Sequence, residues 1–149
     1  MARGMNWLER TFGAGSEGAA AGDDRALRQR RAAGATAHAA GQAAEMSVAR
    51  DYHRAGHMVA HRRWRGQAGE IDLIARDGEG YVFVEVKQAR SFDAAAMRLG
   101  RRQMDRIIAA ACEFLGTVPG GALAAMRFDL ALVDSRGAVR IIENAFGEA

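Results

Sequence analysis

The chain has 149 residues, nearly half of them apolar, which suits one domain with a real core and room for a loose end. No stretch approaches the ~20 apolar residues a membrane span needs, the start lacks the apolar block of a secretory signal, and the single cysteine, Cys112, excludes an intrachain disulfide and a cysteine-based zinc site. The net charge of +3 permits a polyanionic partner without requiring one, because residues 41–149 hold 15 basic against 14 acidic side chains.

Residues 1–37 are rich in Ala, Gly and Arg, with few large apolar side chains after Phe12. A helical turn over 6–12 and a short helix through Ala26 and Leu27, capped by Asp23 or Asp24, are the elements expected there. So little burial cannot offset ordering entropy, so this segment is expected to be a mobile or loosely docked arm. Acidic residues Glu9, Glu17, Asp23 and Asp24 argue against an organelle transit peptide, and a reducing cytoplasm is the expected compartment.

The folded domain is expected over 38–149. Ala44, Val48, Tyr52 and Ala55 recur at helical spacing, with Gly56 as the stop. Residues 57–63 alternate as a strand does. Two apolar runs, 71–75 and 81–86, flank Asp77-Gly78-Glu79-Gly80 and predict a hairpin. A helix is predicted over 94–115, with Met97, Met104, Ile107, Ile108, Ala111, Phe114 and Leu115 on its buried stripe and Cys112 packed beside it. After Pro119-Gly120-Gly121, residues 127–133 and 139–142 read as strands around a turn at Asp134-Ser135-Arg136-Gly137. The order α, β, β, β, α, β, β predicts an α/β fold, a mixed sheet flanked by helices.

The hairpin carries the chemistry. Tyr81, Phe83, Glu85 and Lys87 share one strand face, and Val82, Val84 and Val86 share the other. With Gly78 and Glu79 at the tip, paired positions put Asp72 opposite Glu85. Two facing carboxylates within apolar strands repel and are costly to bury. A divalent cation, Mg²⁺ or Mn²⁺, resolves both problems and brings phosphodiester chemistry with it. Lys87, one pleat beyond Glu85, is placed to orient a water or to stabilise developing phosphorane charge. It is the only lysine beside 20 arginines, at the position where a compact ammonium is useful. The competing reading is a pair of edge carboxylates bound by arginines such as Arg63 or Arg90.

Asp72 followed by Glu85-Val86-Lys87 resembles the D…E-x-K core of restriction-endonuclease-like nucleases. The longer runs Gly69-Glu70-Ile71-Asp72-Leu73-Ile74-Ala75, Val82-Phe83-Val84-Glu85-Val86-Lys87, Arg127-Phe128-Asp129 and Asn144-Ala145-Phe146 resemble the bacterial YraN family, related in fold to archaeal Holliday junction resolvases. The resemblance spans roughly 41–146. It implies a restriction-endonuclease-like sheet, with Asp72, Glu85 and the backbone carbonyl of Val86 as metal ligands and Lys87 assisting water. It also implies a helix-borne glutamate that completes the site; Glu45 holds the matching place, one residue off the apolar stripe led by Ala44. There are departures: Ile71 replaces the proline before the first aspartate, Arg63 stands where an asparagine is expected, and Gln88 follows the lysine.

The expected function is thus a metal-dependent endonuclease on DNA, with branched or damaged DNA among its candidate substrates. The alternative is a non-catalytic module that keeps the fold and binds nucleic acid or recruits partners. Arg62, Arg65, Arg98, Arg101 and Arg102 are the candidate phosphate contacts, and Trp64 is the candidate base-stacking residue or else a plug at the core edge. The bland reading of the arginine run is a solvated face. His53, His57 and His61 recur every four residues, but Gly56 interrupts any common helix. Junction-like substrates favour a homodimer, with the strand edges or an exposed Phe146 as its surface and no membrane contact.

Overall fold

Short apolar runs build the three central strands, which are buried on both faces, and helical-period runs supply what covers them. The computed structural model describes residues 16–147. Helix α1 (Ser16–Arg54) precedes strands β1 (Val59–Arg65), β2 (Glu70–Asp77) and β3 (Gly80–Gln88). Helices α2 (Phe92–Ala96) and α3 (Arg101–Leu115) follow, then a 3₁₀ turn (Gly121–Leu123) and strands β4 (Met126–Val133) and β5 (Val139–Phe146). The strands form one sheet in the order β1-β2-β3-β4-β5, antiparallel except for the parallel pair β3-β4. The parallel pair needs a crossover connection, and α2 and α3 make it. The class is the α/β mixed sheet with flanking helices that the element order predicts.

The chain divides into two units, Met1–Ala39 and Ala40–Ala149. In the first unit, residues 22–39 are helical and exposed. An Ala- and Arg-rich segment forms a helix at low cost per residue, so the short helix expected through Ala26 and Leu27 is part of a longer one. The turn expected over 6–12 lies outside the described residues.

In the second unit the sheet has a different core on each face. On one face Ile74, Tyr81, Phe83 and Phe128 pack against Ile107, Ala110, Ala111 and Phe114 of α3. On the other, Leu73, Ala75, Val82, Val84, Ala131 and Val133 pack against Ala44, Val48 and Tyr52 of α1. Helix α1 ends in a Schellman pair, His57 N–H to Tyr52 O and Gly56 N–H to His53 O, with Gly56 at positive φ as that cap requires. At the hairpin tip Asp77 pairs with Gly80, and Gly78 supplies the positive φ at the first central position.

Four expectations need correction. The helix predicted over 94–115 is two helices, because Gly100 takes an extended conformation and caps α3 (φ −93°, ψ 161°). The break turns Met97 outward to 86% exposure instead of into the core. Cys112 is exposed rather than packed, since the buried stripe runs through Ala110, Ala111 and Phe114 to either side of it. Phe146 is buried against Phe128, with ring centroids 5.3 Å apart, so it offers no free ring to a dimer.

Strict alternation also fails in β2. Ile71 and Ile74 belong to the α3-side core while Leu73 and Ala75 belong to the α1-side core. The fault lies at Asp72. By continuation of the register Arg62↔Leu73 and Trp64↔Ile71, Asp72 stands opposite Arg63, whose φ is +53°.

Candidate functional site

Strands β2 and β3 pair from Asp77↔Gly80 as far as Leu73↔Val84. The next pair in register is Asp72 and Glu85, where side chains replace the backbone ladder. An Asp72 carboxylate oxygen accepts the Val86 N–H at 2.8 Å. Asp72 and Glu85 are close enough for each carboxyl to perturb the other. Glu85, only 4% exposed, accepts from Gln103 Nε2 of α3 at 2.6 Å and pairs with Lys87 Nζ at 3.1 Å on the same oxygen. Asp72, Glu85 and Lys87 are thus together, on the side of the sheet that carries α3.

The backbone of β3 adds an oxygen. Its odd-numbered residues hydrogen-bond toward β4, as Tyr81 N–H does to Ala125 O and Ala89 N–H to Val133 O. Even-numbered residues therefore face β2, and the N–H and C=O of one strand residue point the same way. Val86 aims its N–H at Asp72, so its carbonyl is directed to the same gap.

Glu45 approaches from α1. Its carboxylate is gripped by Arg63, with Nε to Oε2 at 2.8 Å and Nη2 to Oε1 at 3.3 Å. Its charge is felt at Asp72. Among the described residues, no three His, Cys, Asp or Glu side chains converge into a ready metal-ligand group. The arginine alternative for the central acids is not what forms: Arg63 holds Glu45, while Val86 N–H holds Asp72 and Gln103 and Lys87 hold Glu85.

Electrostatics follow from this packing. Burial raises the Glu85 carboxyl from its ordinary 4.5 to about 8, and the neighbouring Asp72 charge adds to the rise while Lys87 opposes it. Burial also raises Asp72, opposed by the Val86 N–H and reinforced by Glu45. Both acids therefore hold their protons more firmly than free carboxyls do. As carboxylates they suit a hard divalent cation: Asp72, Glu85 and the Val86 carbonyl supply three oxygen donors, and a cation would compete with the proton for the two acids. The residues fit such an ion, with Glu45 still engaged elsewhere.

The arginines are more dispersed. Arg101 and Arg102 are exposed in the first turn of α3, next to Gln103 in sequence; Arg101 pairs loosely with Asp105 at 3.7 Å. Arg98 is exposed in the segment between α2 and α3. Arg62 is exposed on β1, and Arg65 pairs with Glu70 at 2.8 Å. Trp64 stands edge-on to Phe114 with centroids 5.5 Å apart, so it packs at the core edge and presents only part of its ring. His57 Nδ1 contacts the Arg76 carbonyl at 3.1 Å and His61 lies against Phe114, so the three histidines do not gather.

Gln103 and Glu113 have no part in the sequence-based expectations, and Asp129 enters them only within a matched run. Gln103 occupies the same α3 stripe as Ile107, Ala110 and Phe114, and a polar residue in a buried stripe is the signal that marks it. Asp129 is fully buried within β4 and takes bonds from Tyr52 Oη (2.6 Å), Arg127 Nε (2.8 Å) and Asn144 N (3.0 Å). Glu113 accepts the N–H groups of Gln67 and Ala68 at 2.8 and 3.1 Å, which ties the β1–β2 link to α3.

Residues 44–133 match the family described as "Uncharacterised protein family UPF0102". A UPF0102 protein of Ruegeria pomeroyi is 62% identical over 110 residues, covering 74% of this chain and 89% of that protein. One from Cereibacter sphaeroides is 61% identical over 113 residues, 76% of this chain and 97% of that protein. One from Roseobacter denitrificans is 51% identical over 116 residues, 78% of this chain and 90% of that protein. The matched span begins at Ala44 and ends at Val133, and so takes in Glu45, Asp72, Glu85, Lys87 and Gln103 together: the chain belongs to the UPF0102 family.

Proposed function

We propose that the protein is a metal-dependent endonuclease of restriction-endonuclease-like type that hydrolyses phosphodiester bonds in DNA, as the resemblance to the YraN proteins and junction resolvases implies. The observation that carries the reading is the buried Asp72–Glu85 pair with the Lys87 amine 3.1 Å from Glu85. Nothing in the packing of the fold requires two carboxylates to share one gap, and their burial is a net cost that a purely structural role does not offset.

Asp72, Glu85 and the Val86 carbonyl would hold Mg²⁺ or Mn²⁺, with Glu45 as a further ligand. The ion supplies charge against the phosphate and acidifies a bound water. The chain's own residues do the rest. Lys87 orients the attacking water and offsets charge growing on the phosphate oxygens. Gln103 fixes the Glu85 carboxyl by its 2.6 Å bond. Helix α3 starts without a side-chain cap or an acidic residue in its first turn, and carries Arg101 and Arg102 there, so its open N–H groups and guanidinium groups favour a phosphate beside the acids.

A second reading, a DNA-binding or partner-recruiting module without turnover, draws on one observation: Arg63 occupies both oxygens of Glu45. Cleavage separates the two. Linear, flapped, single-stranded and four-way DNA are incubated with the wild type and Asp72→Asn, with Mg²⁺ or Mn²⁺ and with chelator. The nuclease reading expects metal-dependent cutting of at least one substrate that disappears in the variant. Binding without cutting by the wild type supports the module.

A further inference from the structure

Arg63 is the most unusual residue near the acids. It lies in an edge strand, yet its φ is +53°, a left-handed conformation that a long side chain rarely adopts and that persists only where the surroundings hold it. Its position is opposite Asp72, where the alternation of β2 also breaks. The result of both irregularities is one contact: the guanidinium reaches α1 and closes a two-point fork on Glu45, at 2.8 and 3.3 Å. The Glu45 side chain is 12% exposed and that of Arg63 is 35% exposed, so solvent and solutes reach the cation more readily than the anion.

A guanidinium fork fits a carboxylate and a phosphodiester by the same geometry. Both oxygens of Glu45 are taken, which explains why Glu45, Asp72 and Glu85 do not converge although Asp72 feels the Glu45 charge. Arg63 therefore does for Glu45 what a divalent cation would do: it neutralises it. We infer that the Arg63–Glu45 pair is a latch, which withholds Glu45 from a cation at Asp72 and Glu85 until a phosphodiester oxygen of bound DNA takes the guanidinium. The inference rests on the nuclease reading and adds to it a substrate-gated assembly of the metal site. Metal and DNA then tighten one another, because coupling between two binding sites is reciprocal.

Mn²⁺ titration followed by electron paramagnetic resonance tests the latch without any turnover. Wild type, Arg63→Asn, Glu45→Gln, the double variant and Asp72→Asn are compared, each with a thermal melt to confirm folding. Asparagine tolerates the left-handed backbone, so Arg63→Asn removes the fork while keeping the local conformation. The expected result is Mn²⁺ binding about 10- to 100-fold tighter in Arg63→Asn than in wild type, the scale on which neighbours of metal ligands act. The Glu45→Gln substitution should cost at least about tenfold more in the Arg63→Asn background than in the wild type, the signature of a released ligand. A short DNA duplex should tighten Mn²⁺ binding to wild type, after correction for Mn²⁺ on the duplex alone, and should add little in Arg63→Asn. Equal or weaker Mn²⁺ binding by folded Arg63→Asn, or equal Glu45→Gln costs in both backgrounds, overturns the latch and leaves the metal site standing. Absence of any Mn²⁺ binding that Asp72→Asn abolishes overturns the nuclease reading, and the latch with it.

Discussion

Replacing Glu85 by glutamine should change how stability depends on pH more than it changes stability itself. Glu85 loses its proton near pH 4.5 when the chain is unfolded and near pH 8 when it is folded. Between those values the folded state binds more protons than the unfolded one, so the free energy of unfolding falls as pH rises, by about 1.4 kcal/mol per pH unit at most. The interval sets a ceiling of roughly 5 kcal/mol, present in full below pH 4.5 and lost by about pH 8. Asp72, also raised by burial, acts with the same sign. Most of that ceiling falls within the experimental window, so a loss of about 2–4 kcal/mol between pH 5 and pH 8 is expected. Urea denaturation in chelator, followed by circular dichroism at half-unit steps of pH, measures it. In Glu85→Gln most of this slope should vanish, and Mn²⁺ should flatten the wild-type slope because a cation competes with the proton for the Glu85 carboxyl. An identical pH slope in wild type and variant would refute the raised affinity of buried Glu85 for its proton.

Three further outcomes follow from named contacts. Lys87→Ala should keep Asp72-dependent metal binding while DNA cleavage falls about 10²-fold or more, read as single-turnover rates; an unchanged rate removes Lys87 from the chemistry. Tyr52→Phe leaves the buried Asp129 short of its 2.6 Å donor and should cost about 1–3 kcal/mol in urea denaturation, with no effect on metal affinity. Arg101→Ala with Arg102→Ala should weaken DNA binding on every sequence alike and flatten its salt dependence in fluorescence anisotropy, since phosphate contacts release counterions without reading bases.

Much of this architecture is written in local pattern. The two apolar runs and the Asp77–Gly80 turn fix the hairpin register, and the register puts Asp72 opposite Glu85 without any tertiary information. The α1 stripe through Ala44, Val48 and Tyr52 reads equally directly, as does its stop at Gly56. What periodicity misses depends on contacts between distant segments. The two-helix crossover hides because Gly100 inside an apolar pattern is compatible with a helix until packing demands a turn. Phe146 looks exposed because its cover, Phe128, is 18 residues away on another strand. Gln103 joins Glu85 only because the crossover brings α3 over the end of β3. The left-handed Arg63 and its hold on Glu45 are invisible to any strand template, since both depend on a break in alternation that the residue types do not announce.

Cleavage assays are vulnerable to traces of contaminating nuclease, whereas the location of a metal ion is not. The most direct measurement is anomalous diffraction at the manganese edge from crystals grown with Mn²⁺ and a short DNA duplex. A peak is expected between the Asp72 and Glu85 carboxylates, beside the Val86 carbonyl, and is lost in Asp72→Asn. A peak elsewhere, or none at these two acids at saturating Mn²⁺, would contradict it.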